Sequence, residues 1–365
     1  MNKRVKVAVL DTGIDKEHEY LKDNIAGGIA FESTDEYIFT SDKYDDKNGH
    51  GTACSSIIKK EFKDVDIFSV KILDDNGKCN IQILEEALKY LLKTNIRLIN
   101  LSLSVLTNEM VNDLHEICND LETNNKIIVC SLANGFDESY PAMFDNVIGV
   151  KGFILEDENT LWYNKREKIQ CIIDNNPYFY CDLNNSYKLF GKCNSQATAK
   201  LTGKIASILY MEPDISLEKL HEKLESLARR KNWTKYDLKS SKRYPDFRNG
   251  TYINDDKIFM KVINIVIKVL GLNKYDHKLN QYGLFNKNIG LTYDKCFDLI
   301  KEIEGQLNLK FDYMSISRYD FMSIYTLTEL VEKNLDRKEY CNENTRNDKS
   351  YKDLWKRRDR SYCTQ

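Results

Sequence analysis

Val5-Lys6-Val7-Ala8-Val9-Leu10-Asp11-Thr12-Gly13 decides how the first half of the chain is read. Apolar residues alternate with the rest from Val5 to Leu10, as in a strand, and the run ends on a short acidic turn. Working outward, the same punctuation returns. Ile67 to Leu73, Ile96 to Leu103, Lys126 to Ser131 and Val147 to Val150 all read as strands. Between them Leu84, Ala87, Leu88 and Leu91 repeat at helical spacing over Ile81 to Leu92. A second helix is marked by Val111, Leu114, Cys118 and Leu121, with Thr107 as its cap. Apolar strands alternating with helices predict an α/β fold, a parallel sheet covered by helices on both faces.

The stretch 151–192 is rich in Asn, Tyr and Asp and predicts strands only near Ile169-Ile173 and Tyr178-Cys181. Helices follow at Gln196 to Met211 and Ser216 to Ala228. Arg229 to Arg248 then holds eight basic residues against Asp237 and Asp246, and reads as a solvated connector. Beyond it Ile258, Val262, Ile265, Val266 and Val269 share one helical face, and further helices are expected at Tyr293-Glu304 and Ser323-Asn334. The expected organisation is a first domain over 1–228, a basic linker over 229–253, a small all-α domain over 254–335 and a polar tail over 336–365.

The chain of 365 residues is 42% hydrophobic and 30% charged, enough to build a real core. Its 54 basic and 56 acidic residues leave a net charge of -2, which argues against a general nucleic-acid or membrane-surface binder. No apolar run is long enough to span a bilayer. The N-terminus runs straight into the first strand without a cleavage signal. Ten cysteines are scattered singly with no CxxC pair. Reduced thiols in a cytoplasmic protein are expected, with no metal and no cofactor.

Four short segments of the first domain carry chemistry together. Asp11 ends the first strand, at the edge of an open parallel sheet where functional groups gather. His50 lies between glycines in Asn48-Gly49-His50-Gly51-Thr52, which lets the backbone turn sharply. Asn134 follows the strand that closes at Cys130-Ser131. Ser195 opens a helix, where free N–H groups favour developing negative charge. Singly, each has a bland reading: a turn, a loop histidine, an N-cap serine. The other histidines, His18, His115, His221 and His277, read as ordinary surface or helix residues. The order Asp, His, Asn, Ser in these contexts is far more specific.

In these segments the chain resembles the subtilisin-like serine peptidases, the subtilases, over roughly residues 4–211. Val7 to Asp15 is similar to the family's aspartate motif, Asn48 to Thr52 to its histidine motif and Asn194 to Thr198 to its nucleophile motif. Ile99 to Ser104 resembles the substrate-binding strand. Val129 to Asn134 resembles the segment ending in the oxyanion asparagine, with Tyr140-Pro141-Ala142 after it. The resemblance implies a triad of Asp11, His50 and Ser195, oxyanion donation by Asn134, and substrate contacts at Ser102, Leu103, Ser104 and Ala133. Cys193-Asn194 replaces the family's usual Gly-Thr, Ala199-Lys200 its Pro-His, and Ser104-Val105 the paired glycines of the primary pocket. Narrow specificity is expected from the last. The missing prodomain fits an intracellular member. Acidic loops at Asp42 to Asp46 and Asp74-Asp75 have no spacing distinctive of calcium.

Residues 255–335 resemble an acyl or peptidyl carrier protein, through Ile258-Leu270, Asn288-Ile289-Gly290-Leu291, Phe297-Glu304 and Ser323-Val331. Tyr293 falls where the carrier's phosphopantetheine serine would stand, so this resemblance implies a carrier-like fold without its prosthetic arm. The expected function is a cytoplasmic serine endopeptidase with a peptide or protein substrate, processing a peptide of a biosynthetic pathway. A protein partner is expected at the carrier-like domain, and neither nucleic acid nor membrane. The competing expectation is a catalytically silent binding protein that keeps the subtilase fold and acts through its helical domain.

Overall fold

The computed structural model describes residues 3–34, 36–106, 111–240, 257–272 and 278–335. Two compact units emerge, Met1–Tyr244 and Pro245–Gln365. The first opens with β1 (Val5–Asp11), β2 (Ile25–Ser33), β3 (Ile38–Ser41), α1 (His50–Glu61) and β4 (Val65–Lys71). Next come α2 (Ile81–Leu92), β5 (Leu98–Leu101), α3 (Val111–Thr123), β6 (Ile127–Ser131) and β7 (Ile148–Phe153). It closes with β8 (Leu161–Tyr163), β9 (Cys171–Asp174), β10 (Tyr178–Asp182), β11 (Ser186–Phe190), α4 (Asn194–Met211), α5 (Leu217–Leu227) and α6 (Lys235–Ser240).

Nine strands form one sheet in the order β3-β2-β4-β1-β5-β6-β7-β9-β8. From β2 to β9 the strands run parallel, and only the edges β3 and β8 are antiparallel. β1 lies inside the sheet between β4 and β5, and its side chains alternate between two covered faces. Ala8 and Leu10 join Ile99, Leu101, Ile128 and Cys130 in a core closed by Leu84, Leu88 and Leu91 of α2 and by Leu114, Cys118 and Leu121 of α3. On the other face α4 packs against α1 and runs over β5, β6 and β7. The expected parallel sheet covered on both sides is what the chain builds.

Sequence patterning passes over β2, β3, β8 and β11. β2 carries Gly27-Gly28, which weakens a strand signal. Here the glycine is a packing device: a Cβ on Gly28 would lie 2.6 Å from Ser69 O and 2.7 Å from the Tyr44 ring. His18 also departs from expectation, being fully buried. Its Nε2 donates to Ser186 O (3.0 Å) and its Nδ1 accepts from Tyr20 N–H (3.2 Å), so it pins the β10–β11 hairpin.

The expected connector from Arg229 is corrected over 229–240, which folds onto the first unit. Arg229 N–H bonds to Leu161 O (2.8 Å), and Tyr163 N–H bonds to Arg230 O (3.0 Å). Trp233 and Leu238 cover a satellite core of Leu155, Trp162 and Ile172. Arg230 pairs with Asp237 (2.8 Å) and lies over the Trp162 ring. Arg229 and Arg230 thus spend their charges on Glu156, Asp157 and Asp237. Residues 241–253 of that connector, Thr107 and the expected tail 336–365 lie outside the described residues.

The second unit is helical: α7 (Lys257–Leu270), α8 (Lys278–Gln281), α9 (Lys295–Leu307) and a helix over 324–335. Phe259, Val262 and Val266 of α7 and Leu299, Ile300 and Ile303 of α9 are buried, with Leu327 and Val331 from the last helix. Tyr293 precedes α9 and packs edge-on against Phe285.

Candidate active site

Strand order does the first part of the work. β1, β5 and β6 are neighbours, so Asp11 at the end of β1, Ser102 just after β5 and Asn134 just after β6 gather at one carboxyl edge. Asp11 is wholly buried, and its Oδ1 accepts from Thr12 N–H (2.8 Å). The same oxygen stands 2.7 Å from His50 Nδ1, which fixes the tautomer that leaves Nε2 facing outward. Burial disfavours a charged imidazole, but the Asp11 carboxylate outweighs it and holds the His50 pKa well above the usual value. Cys54, one turn along α1, is fully buried, and its Sγ lies 3.9 Å from His50 Nδ1. Burial keeps that thiol neutral.

The glycine-flanked turn expected from the sequence holds His50 in place. Gly49 caps α1 with φ 89°, a left-handed conformation, and a Cβ there would lie 2.3 Å from Asp182 Oδ1. A Cβ on Gly51 would lie 2.2 Å from Gly13 O, so the histidine and aspartate turns touch backbone to backbone. Between them sits buried Asp46. Its Oδ1 accepts from Thr12 Oγ1, Asn48 N–H and Gly49 N–H, each at 2.9 Å. Its Oδ2 accepts from Thr52 N–H (3.0 Å) and Thr52 Oγ1 (2.7 Å). Burial alone would raise this carboxyl, but the donors from Gly49, Thr52 and Asn48 bring it below the usual range. The acidic loop thus spends Asp46 on bracing the turn. Its signal was an aspartate four residues before the histidine, hidden among surface acids.

Ser195 is the second residue of α4 and only 7% exposed. Its hydroxyl donates to Ser102 O (3.3 Å), and among the described residues no hydrogen bond joins it to His50. Loose contacts of this kind are usual without substrate. A buried chain aligns helix and strand: Thr202 Oγ1 donates to Asn100 Oδ1 (2.9 Å), and Asn100 Nδ2 to Ser102 Oγ (2.9 Å).

The departure at Asn194 has a structural use. Its Nδ2 donates to Leu132 O (2.7 Å), and its Oδ1 accepts from Gly152 N–H (2.9 Å), stitching β6 and β7 to the start of α4. Its own N–H donates to Asn134 Oδ1 (2.9 Å). That bond identifies the acceptor end of the exposed Asn134 amide and leaves Nδ2 as its donor end. Lys200, the other departure, reaches Glu158 O (2.8 Å) and Asp174 O (3.1 Å) inside the fold.

Ser102, Leu103 and Ser104 line a cleft of about 430 Å³ together with His50. Immediately after them Val105 exchanges two backbone bonds with Tyr140, at 2.8 and 3.0 Å. This seam lies where added side chains were expected to narrow the pocket. Ala133 donates its N–H to Ser139 Oγ (2.8 Å), so it contributes surface rather than a free donor. On the opposite flank, Phe190 of β11 meets the His50 ring edge-on at 5.5 Å. All eight described cysteines are free, and no helix among the described residues is long and apolar enough to cross a membrane.

The Subtilase family profile matches residues 2–245, which takes in every residue of this site. The chain is 29% identical over 238 residues to the major intracellular serine protease of Bacillus subtilis, a span that covers 60% of this chain and 73% of that one. It is 26% identical over 220 residues to the intracellular serine protease of Paenibacillus polymyxa, covering 56% and 66%. Among solved structures, sphericase superposes with a TM-score of 0.52 at 20% identity, over 61% of this chain and 82% of that one, and shares its fold. With two thirds of its length under the family profile and a subtilisin-like fold, the chain belongs to the subtilase family of serine endopeptidases.

Proposed function

We propose that Asp11, His50 and Ser195 form the working triad and that Asn134 Nδ2 stabilises the oxyanion. Ser195 Oγ adds to the scissile carbonyl carbon as His50 Nε2 takes its proton. The ring then returns that proton to the departing amine, and water repeats the cycle on the acyl-enzyme. Asp11 holds the ring and balances its charge. The observation that carries this reading is the 2.7 Å contact between Asp11 Oδ1 and His50 Nδ1 at the carboxyl edge of the sheet where α4 begins. Substrate lies extended along Ser102, Leu103 and Ser104, against Ala133, and gains backbone bonds as an added strand.

The Val105–Tyr140 seam supports narrow specificity. Relatives named as intracellular proteases and free cysteines support a cytoplasmic location. The second unit is read as a carrier-like docking module for a protein partner, with Tyr293 in place of the arm-bearing serine. That reading ties the enzyme to processing a peptide of a biosynthetic pathway, on fold analogy alone.

A small fluorophosphonate probe and casein hydrolysis test the triad. Wild type is expected to be labelled and to cleave, and Ser195→Ala and His50→Ala each to abolish both. A folded wild type that does neither would overturn the enzymatic reading in favour of a silent binding protein.

A further inference from the structure

A peptide added as a strand beside Ser102 to Ser104 meets unlike surroundings on its two faces, and its side chains alternate between them. One face looks into the cleft of about 430 Å³ that His50, Leu103 and Val105 share with Ile81 and Leu84 of α2. The other looks toward the segment that follows β6.

That second face is closed by the chain's own bonds. Ser131 Oγ donates to Leu103 O (3.4 Å), Ser139 Oγ accepts from Ala133 N–H (2.8 Å), and Val105 exchanges its backbone pair with Tyr140. A slot for a side chain would leave its walls and floor open to water. Ser131, Ala133 and Ser139 are instead 3%, 7% and 1% exposed. The wall is also held against stepping aside. Ala133 O accepts from Phe136 N–H (3.3 Å) and from Asn194 Nδ2 (3.4 Å), so both backbone atoms of this residue are engaged.

The proposed chemistry decides which substrate residue faces the seam. Its carbonyl carbon must reach Ser195 Oγ, which rests on Ser102 O (3.3 Å), while its oxygen meets Asn134, the neighbour of Ala133. The residue that gives the scissile carbonyl is thus bracketed by Ser102 and Ala133, and its side chain turns into the seam. The residue before it turns into the cleft.

We propose that Ala133 and Ser139, backed by Ser131, restrict the residue that gives the scissile carbonyl to Gly, Ala or Ser. The inference rests on the endopeptidase reading above. A longer side chain would have to part Ala133 from Ser139 or overlap the Ala133 Cβ, and a closely packed site resists added methylenes. One position upstream, the cleft accepts larger side chains.

A library of internally quenched peptides, with the cut sites read by mass spectrometry, tests this. Cleavage should follow Gly, Ala or Ser, and Leu or Phe at the same place should lower kcat/KM about fiftyfold. Leu or Phe one residue upstream should be accepted. Ser139→Gly and Ala133→Gly, each checked for folding by its melting curve, should reduce the preference for Ala over Phe about tenfold. Peptides ending in a free carboxylate at Ala or at Phe, bound to Ser195→Ala, give the same comparison without turnover. Cleavage or binding as good with Phe as with Ala would overturn this proposal and leave the endopeptidase reading standing. So would a preference that both variants leave intact. Binding of neither peptide, with no cleavage by wild type, would overturn both.

Discussion

At the scale of single residues, His50 carries the most consequence. Asp11 holds its pKa well above the usual value against the opposing effect of burial, and in the proposed mechanism the ring acts as a base only when neutral. The rising limb of kcat/KM with pH should therefore lie above the ~6.5 of free imidazole. In Asp11→Asn the limb should move down toward that value while kcat falls by about 10⁴-fold, because the ring loses its tautomer as well as its counter-charge. Stability runs the other way. A proton held more tightly in the folded state stabilises fully below about pH 6.5, and that contribution is lost as pH rises through the folded pKa. Urea titrations across this range, wild type against Asp11→Asn, measure the second effect, and a pH–rate profile measures the first. A limb at or below 6.5 in wild type would contradict the Asp11–His50 coupling. Asn134 illustrates a subtler point: the bond from Asn194 N–H tells which end of its amide accepts and which is left to donate.

Elements come next, and the junction of β1 with α1 is the one on which the site depends. A tight turn after β1 and a left-handed Gly49 before α1 bring two backbones together, with the Asp46 carboxylate filling the space between them. Five donors converge on it, from both turns. Removing it strands buried N–H and O–H groups, each worth about 1–3 kcal/mol when left unpaired. Partial rehydration offsets part of that, so Asp46→Ala should lose about 3 kcal/mol in urea unfolding. It should also depress kcat more than KM, because the ring it positions wanders. Normal kcat in a destabilised Asp46→Ala protein would show that the turn holds without it. The β10–β11 hairpin is a second such device, tied by His18 at its tip and laying Phe190 against the imidazole.

For the molecule as a whole, the proposed chemistry falls within one of the two units. Every residue assigned to chemistry or substrate lies within Met1–Tyr244, including the segment 229–240 that packs on Trp162. A protein truncated after Tyr244 should keep kcat/KM on a short peptide within about threefold of full length, a difference below about 0.7 kcal/mol. A loss of a hundredfold on that peptide would mean that the second unit helps to build the site. Truncation before Arg229 should instead destabilise the enzyme, since it uncovers Trp162 and Ile172.

The sheet's central strands and its covering helices were legible in the sequence because their apolar periods are long and both faces are buried. The strand end at Asp11, the turn at His50 and the helix start at Ser195 were legible too, since such places leave local marks of glycine, polar residues and spacing. What stayed illegible depends on partners distant in sequence. β2 reads poorly because its Gly28 answers to Ser69 on the neighbouring strand and to the Tyr44 ring. His18 is buried with Ser186 offering it a carbonyl, and Arg230 is held because Glu156, Asp237 and Trp162 receive it. Asp46 and Asn194 look like surface polar residues until the fold surrounds them with donors and acceptors. Periodicity along the chain sets which segments are strands and helices. Hydrogen-bond complementarity across it, which no local pattern encodes, sets which polar side chains build the site.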